Sequence, residues 1–207
     1  MPNDSSSVTT DPLRQFPGWK ALRLPADIAR ALVELYRRAG ATSHGEPVSQ
    51  LEHGLQCASF ALAERASDEL VVASFLHDIG HLVTLRSHRP DRDLAHERTG
   101  SEFLTNWLPP AVTEPIRLHV DAKRYLCGID PSYQATLSSG SSHALTLQGG
   151  PFTRRQVALF DSEPHASDTL DLRRWDDRAK VRGVPTVTLP FVEQVIAAVL
   201  LAADRRR

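Results

Sequence analysis

Apolar residues recur at steps of three and four along most of this chain, which is the spacing that places side chains on one face of an α-helix. The first such stripe covers residues 25–40, with Pro25 at its start and Gly40 at its end, as helix termini prefer. A second stripe covers residues 48–62. A third, over residues 68–82, is apolar on almost every side and indicates a buried helix.

Further helical stretches follow in the second half of the chain. They are predicted at about residues 94–107, 113–126, 141–148, 153–161, 167–181 and 189–204. No segment of four or more residues alternates between apolar and polar positions as a half-buried β-strand does. The pattern therefore predicts an all-α protein, a compact bundle of about seven to nine helices.

Composition sets the size of the folded part. With 207 residues, of which 41% are hydrophobic, the chain is long enough for one sizeable core. Residues 1–18 are rich in Ser, Thr, Pro and Asp, and we expect a disordered tail there. We expect residues 19–207 to form a single domain. Cys57 and Cys127 are too few for a disulfide framework, and we interpret both as reduced packing residues.

Charge and hydropathy narrow the range of partners. Lys and Arg number 24 and Asp and Glu number 25, so the chain has no strong positive field to attract nucleic acid or an anionic membrane. No apolar run approaches the ~20 residues that cross a bilayer, and the first 17 residues have no apolar signal core. We therefore expect a cytoplasmic protein without nucleic-acid or membrane partners. The oligomeric state stays open.

The nine histidines are the main compositional anomaly, and two of them flank an aspartate in the third stripe. His77 and His81 are four residues apart, so a continuous helix would place both imidazoles on one face, beside Asp78. An ionised aspartate within an apolar helix is costly to bury unless a cation meets it. The pair His77-Asp78 therefore predicts a metal site. His81 alone is more often a core or surface histidine than a ligand.

Further candidate ligands lie on other predicted helices. They are His53, His96, His119 and Asp176. The order of a histidine, a His-Asp pair and a late aspartate resembles the HD-domain metalloprotein superfamily, and the two additional histidines resemble its two-metal branch. This resemblance implies two metal ions. The first would be held by His53, His77, Asp78 and Asp176, and the second, bridged by Asp78, by His96 and His119.

Four separated motifs narrow the resemblance to one family. They cover residues 45–53, 119–126, 147–151 and 173–177. In this order they are similar to motifs of the HD-domain phosphonate-cleaving oxygenases, and the similarity extends over about residues 26–200. The family resemblance implies a mixed-valence centre of two iron ions, Fe(II)/Fe(III).

The reaction that this resemblance implies is a dioxygenation. It would cleave the carbon–phosphorus bond of 1-hydroxy-2-aminoethylphosphonate, or of its N-trimethylated relative, to glycine or glycine betaine plus phosphate. One dioxygen balances this reaction without an external reductant, and the chain has no dinucleotide-binding Gly-rich turn. Two carboxylates among four neutral imidazoles also leave a two-metal centre cationic, so a small anionic phosphonate would supply the missing charge.

Two cationic side chains are candidates for binding the phosphonate. Lys123 follows His119 by one turn, so its ammonium would reach the same pocket. The alternative is a solvated lysine, but the chain has 3 Lys against 21 Arg, which favours a function. Arg173 precedes Asp176 by one turn and would fork onto phosphonate oxygens. Its alternative is a surface salt bridge.

Uncharged and acidic groups complete the candidate set. His81, Ser138 and Ser141 are candidate hydrogen-bond partners of the phosphonate, although a turn and a helix N-cap explain the two serines equally well. Glu46 is a candidate partner for the substrate's ammonium group, and the alternative is a first-turn glutamate favoured by the helix dipole. Within the whole set, we assign a direct part in catalysis to Glu46, His81 and Lys123.

The chain departs from the family at one position. Related enzymes usually carry a tyrosine two or three residues before the glutamate, where it is thought to occupy an iron position until substrate displaces it. Ser43 and His44 stand there in this chain. Whether His44 takes over that role, or the difference marks another substrate or an open loop, is left open by the sequence.

Two other functions use the same candidate ligands. A dimetal HD phosphohydrolase would hold Mn, Co or Mg and activate a water against a phosphate ester. A non-catalytic HD module would bind a ligand without turnover, but it would tolerate a broken set of ligands, and all the expected ones are present. We therefore rank the oxygenase first, the phosphohydrolase second and the binding module third.

Overall fold

The computed structural model describes residues 18–43, 46–83 and 95–206, with Lys20 described by its backbone. These residues form a 3₁₀ turn, Trp19–Ala21, and eleven α-helices. The helices are α1 (Pro25–Ala39), α2 (Gln50–Ala63), α3 (Asp68–Leu76), α4 (Ile79–Val83), α5 (His96–Leu104), α6 (Pro110–Ile129), α7 (Pro131–Gln134), α8 (Ser139–Leu147), α9 (Arg154–Phe160), α10 (Ala166–Arg178) and α11 (Leu189–Asp204).

The all-α prediction is confirmed, since the described part of the chain contains no strand and nine of its helices have seven residues or more. The tail predicted for residues 1–18 lies almost entirely outside the described residues. Among the helices that are described, none is both long enough and apolar enough to cross a bilayer.

Helix α3 lies at the centre of the bundle. It packs against α2, α6, α10 and α11, and every residue from 70 to 76 is buried. A helix covered on all sides is apolar on all sides, which explains why its sequence shows no polar face. These four helices therefore present their inner faces to α3, and the residues at its C-terminal end lie deep in the protein.

Side-chain caps determine where the helices around α3 begin. Ser49 and Glu52 form a capping box at the start of α2, in which the Ser49 hydroxyl accepts from the Glu52 backbone N–H at 3.2 Å. Ser67 caps α3 in the same way through the backbone N–H of Leu70. The Ser49 cap places His53 one turn into α2, where its side chain faces α3.

The prediction of one continuous helix over residues 68–82 is wrong, because the chain turns at His77 and Asp78. His77 directly follows α3 as its C-cap residue, its Nδ1 lies 2.9 Å from the Ser74 carbonyl oxygen, and α4 begins anew at Ile79. Successive residues of a straight helix point about 100° apart. The turn instead allows the successive side chains of His77 and Asp78 to face the same space. It also places His77 and His81 on different helical segments, since His81 belongs to α4.

The start of α6 and the end of α10 also differ from the predicted helix boundaries. Helix α6 begins at Pro110 rather than near residue 113, because a proline is well tolerated in the first turn, where its missing N–H has no partner to lose. Helix α10 ends at Arg178 rather than at 181. The residues that follow it, including Lys180, therefore lie in an irregular segment that runs beside α2.

Glycines permit two close helix crossings beside the histidines. A Cβ on Gly54 of α2 would lie 2.7 Å from the Phe75 carbonyl oxygen of α3. A Cβ on Gly80 of α4 would lie 1.9 Å from the His96 carbonyl oxygen of α5, whereas one on Gly100 would lie 3.1 Å from the Gly80 backbone nitrogen. Because real Cβ atoms do not approach so closely as 1.9 Å, the position of α5 depends on the missing side chain at Gly80.

We expect Gly80→Ala to destabilise the fold by about 1–3 kcal/mol, the usual cost of forcing extra volume into a packed core. The matched control is Gly100→Ala in the same helix pair, where a shift of a few tenths of an ångström suffices and helix propensity returns about 1 kcal/mol. Urea denaturation of both variants measures the difference. Equal unfolding free energies would show that the α4–α5 approach is not tight.

Candidate metal centre

Six potential metal donors converge from five parts of the fold. His53 lies on α2, His77 and Asp78 in the turn after α3, His96 at the start of α5, His119 on α6 and Asp176 on α10. We call these six residues the donor cluster. Five of them are buried, and the Asp78 side chain is 15% exposed. The structure thus brings together every residue that the sequence proposed as a ligand.

The four imidazoles of the donor cluster form two pairs. The Nε2 atoms of His53 and His77 are 3.2 Å apart, and those of His96 and His119 are also 3.2 Å apart. In three of the rings the other nitrogen, Nδ1, donates to a backbone carbonyl: Ala179 for His53, Ser74 for His77 and Ile116 for His119, at 2.7 to 2.9 Å. A carbonyl only accepts, so each neutral ring keeps its proton on Nδ1 and presents a lone pair at Nε2.

Facing lone pairs repel one another unless a cation or a proton lies between them. Histidine ligands of metals commonly hold their second nitrogen against a carbonyl in this way, which orients the ring and fixes the tautomer. The ring of His96 has a different neighbour, because its Nδ1 lies 3.7 Å from the Glu97 carboxylate. The arrangement of the rings therefore suits a cation at each pair.

Asp78 lies between the two imidazole pairs. Its Oδ1 is 3.4 Å from His96 Nε2 and 3.7 Å from His119 Nε2, while its Oδ2 is 3.8 Å from His53 Nε2. Burial alone would raise the pKa of the Asp78 carboxyl, but the facing imidazoles of His77 and His96 hold it well below its usual value. One ionised carboxylate thus faces both pairs, which is the geometry of a bridging ligand.

Asp176 lies beside the first imidazole pair, that of His53 and His77. Its Oδ1 lies 3.3 Å from His53 Nε2, and its Oδ2 lies 2.6 Å from the Arg173 guanidinium. Burial alone would raise the pKa of the Asp176 carboxyl, but Arg173 and His53 keep it well below its ordinary range. Arg173 therefore holds this carboxylate ionised and directed toward the donor cluster.

The histidines differ in their affinity for a proton. Burial lowers the pKa of His77, and burial together with the neighbouring imidazole of His96 holds the pKa of His119 well below 6.5. Burial would also lower the pKa of His53, but the carboxylates of Asp176 and Asp78 together outweigh it and raise the value. His77 and His119 are therefore neutral near pH 7, which is the form that binds metals.

The donor chemistry fits iron among other borderline cations. Imidazole and carboxylate ligands suit Fe, Zn, Mn and Co, and geometry rather than affinity usually selects among them. The Cys57 thiol also lies within 4.8 Å of donor atoms of His53 and His77. Burial raises the pKa of the Cys57 thiol well above its usual value, which favours its uncharged form. The interpretation of Cys57 as a packing residue agrees with its complete burial.

A cavity opens directly above the donor cluster. Its volume is about 100 Å³, and among the described residues its wall includes Lys123, Arg173 and Lys180. Lys123 is 4% exposed and has no hydrogen bond or ion pair with the described residues. Burial, together with the charge of Arg173, lowers its pKa to about 8. The cavity therefore holds an ammonium group that no described residue pairs with.

The surface-salt-bridge interpretation of Arg173 is wrong, since the residue is 2% exposed. Its guanidinium contacts Asp176 and Asp177, and the Tyr133 hydroxyl donates to the same Asp177 carboxylate. Because α7 packs over this side of α10, the arginine is enclosed with its two carboxylates. Arg173 lines the cavity while it is already ion-paired.

The other sequence candidates have diverse positions. His81 lines the cavity and stacks on His96, with ring centroids 4.0 Å apart. Ser141 also lines the cavity, whereas Ser138 is not among the lining residues and caps α8 by accepting from the Ser141 backbone N–H at 3.0 Å. Ser43 is exposed, and His44 lies outside the described residues.

Glu46 lines the cavity, and its negative charge is already paired with that of Lys180. Its Oε1 accepts from the Ser138 hydroxyl at 2.6 Å and from the Lys180 ammonium at 3.0 Å. Burial alone would lower the pKa of Lys180, but Asp176 and Glu46 raise it, so the side chain stays charged. The first-turn interpretation of Glu46 is wrong as well, because α2 begins only at Gln50.

Sequence reasoning missed three polar residues of the cavity wall, of which Lys180 is the most important. The scarcity of lysine, which singled out Lys123, applies equally to Lys180 and was the available signal. Gln50 and Gln148 also line the cavity, and their side-chain carbonyl oxygens have no hydrogen-bond partner among the described residues. No spacing in the sequence distinguishes these two from surface glutamines.

Comparison with known proteins gives named relatives. No family model matches the chain. The chain is 40% identical over 166 residues to the hydroxymethylphosphonate dioxygenase of Gimesia maris, a match that covers 78% of this chain and 83% of the relative. It is 39% identical over 147 residues to the glycine-betaine-forming [1-hydroxy-2-(trimethylamino)ethyl]phosphonate dioxygenase of Leisingera caerulea, covering 70% and 75%.

A third relative extends the match without adding a function. It is an uncharacterized protein of Acanthamoeba polyphaga mimivirus, 30% identical over 156 residues, covering 72% of this chain and 71% of the relative. Identity at this level over most of both chains establishes common descent with the two dioxygenases. The motif resemblance is confirmed, and the chain belongs to the HD-domain phosphonate dioxygenase family.

Proposed function

We propose that this protein is an iron-dependent dioxygenase that cleaves the carbon–phosphorus bond of a hydroxyalkylphosphonate. The observation that carries the proposal is the position of the buried Lys123 ammonium in a cavity directly above a cluster of paired imidazoles, with no ion-pair partner in the described part of the chain. An anionic substrate meets a cation there while its other end faces the donor cluster. The two named relatives act on hydroxyphosphonates, which supports the same reaction class.

The donor cluster divides between two iron ions in this proposal. His53, His77, Asp78 and Asp176 hold one, and Asp78 reaches across to a second held by His96 and His119. The paired Nε2 atoms and the central position of Asp78 support this division. Iron supplies the one-electron and dioxygen chemistry that amino-acid side chains lack. The Fe(II)/Fe(III) state is taken from the family.

The reaction balances with dioxygen as the sole co-substrate. A phosphonate R–CH(OH)–PO₃H₂ and O₂ give the acid R–COOH and phosphoric acid, so the C–P and O–O bonds break and no external reductant is consumed. When R is an aminomethyl group the acid is glycine, and when R is a trimethylammoniomethyl group it is glycine betaine. In both cases the phosphorus leaves as phosphate.

The protein's own groups bind and orient the substrate. Lys123 pairs with a phosphonate oxygen, since it has no other partner among the described residues and its ammonium is largely desolvated. His81, stacked on His96, presents an imidazole to the same space, and Ser141 adds a hydroxyl. Arg173 acts through Asp176, because its guanidinium is already committed to two carboxylates.

We expect phosphate release from an iron-loaded sample to require dioxygen. With hydroxymethylphosphonate as substrate, activity should disappear in an anaerobic chamber and return on admission of air, with one O₂ consumed per phosphate formed. An oxygen electrode and a phosphate assay measure both quantities. Undiminished phosphate release without oxygen would show that the C–P bond is broken without oxidation, and it would refute the dioxygenase.

Asp78→Asn should abolish stable iron binding at both positions, because it removes the charge that faces both imidazole pairs while keeping the side-chain shape. The control is Asp171→Asn, an exposed residue of α10 that contacts Arg174. Elemental analysis after desalting gives iron per chain. Normal iron content in Asp78→Asn would remove the bridging assignment.

The Lys123 ammonium predicts a pH dependence. Since its pKa is about 8, the charge is present below pH 8 and is lost as the pH rises above it. We expect kcat/KM of the wild type to fall about tenfold per pH unit above 8. Lys123→Arg keeps its charge and should lack this descent. If kcat/KM falls equally above pH 8 in the wild type and in Lys123→Arg, another group causes the decrease.

A further inference from the structure

Lys180 holds together two sides of the cavity. Its Nζ lies 3.0 Å from Glu46 Oε1 and 2.8 Å from the Ser141 hydroxyl oxygen, and it is 3.8 Å from Asp176 Oδ1. The Lys180 side chain is 12% exposed and that of Glu46 17%. Because both charges are largely removed from water, their attraction is stronger than that of a surface pair.

The ion pair with Lys180 neutralises the carboxylate charge of Glu46. Outside the donor cluster, Glu46 is the one acidic side chain among the described lining residues. Its Oε1 already receives hydrogen bonds from the Lys180 ammonium and the Ser138 hydroxyl. A positively charged group on a substrate would therefore find its natural partner occupied, and it would lie within a few ångströms of a second ammonium.

The cavity also lacks the alternative means of binding a cation. Quaternary ammonium groups are bound by the faces of Trp, Tyr and Phe rings. None of the described lining residues is Phe, Tyr or Trp, and Phe16 is the only such residue of the chain outside the described ranges. The wall near Glu46 is instead built from small side chains, including Val48, Gly140 and Ala144.

We propose that Lys180 is a specificity-determining residue, which neutralises Glu46 and makes the cavity select hydroxyalkylphosphonates that carry no positive charge beyond C1. This deepens the proposed function and rests on it for the phosphonate itself. The preferred substrates have hydrogen or a short uncharged group on C1. Phosphonates that carry an ammonium or trimethylammonium group are bound and turned over less well.

A matched pair of unreactive ligands tests the charge preference without turnover. Propylphosphonate and 2-aminoethylphosphonate have the same length and differ by a methyl group in place of an ammonium. Neither has the C1 hydroxyl, so both are titrated calorimetrically into iron-loaded protein under anaerobic conditions. We expect propylphosphonate to bind about tenfold more tightly or better. Tighter binding of 2-aminoethylphosphonate would overturn the proposal.

Two substitutions should move the affinity ratio in opposite directions. Lys180→Met keeps the length of the side chain and frees Glu46, so it should shift the ratio at least about tenfold toward 2-aminoethylphosphonate. Glu46→Gln removes the nearest negative charge from Lys180, which keeps Asp176 at 3.8 Å, and should shift the ratio further toward propylphosphonate. General damage to the fold would weaken both ligands alike, and an unchanged ratio in Lys180→Met would contradict the proposal.

Turnover assays with three substrates distinguish a failure of this inference from a failure of the proposed function. Aerobic phosphate release is measured with hydroxymethylphosphonate, 1-hydroxy-2-aminoethylphosphonate and its trimethylated relative. The highest kcat/KM for hydroxymethylphosphonate supports both statements, whereas a preference for a cationic substrate overturns the inference and leaves the dioxygenase function intact. Release from none of the three would refute the function, while the calorimetric ratio would still decide the role of Lys180.

Discussion

The main physical constraint on this structure is that the fold holds pairs of imidazole lone pairs so close together that they repel one another. His53 faces His77 and His96 faces His119 at 3.2 Å, and backbone carbonyls hold the protons of three of these rings on the far nitrogen. A protein maintains such contacts only where a cation repays their cost. The close crossings at Gly54 and Gly80, the turn at His77-Asp78 and the capped start of α2 all serve to bring these rings to one place.

The charges around the donor cluster form two layers of opposite sign. Asp78 and Asp176 face the imidazoles, and above them Lys123, Arg173 and Lys180 line the cavity. Two of these three cations are neutralised within the protein, Arg173 by two aspartates and Lys180 by Glu46. A dianionic phosphonate would thus meet the Lys123 ammonium, which no described residue neutralises, and the side of the cavity that carries the donor cluster, so its phosphorus end and its C1 end would lie in distinct surroundings.

Much of the helical framework and of the donor cluster could be predicted from the sequence. Periodicity located the helices, and the order of His53, His77-Asp78 and Asp176 indicated ligands that the fold does bring together. The break after Leu76 could not be predicted, because an apolar run has the same pattern whether or not it turns at a crossing with another helix. The burial of Arg173 and the pairing of Lys180 with Glu46 likewise arise from contacts between distant segments.

The wide separation of the ligands along the chain determines when the centre can assemble. His53 belongs to the second helix and Asp176 to the tenth, and the carbonyl that orients His53 is that of Ala179. Since synthesis proceeds from the N-terminus, five of the six donors emerge from the ribosome before the sixth exists. The complete donor cluster consequently exists only after α10 has been synthesised, and a nascent chain that stalls before α10 presents its histidines without Asp176.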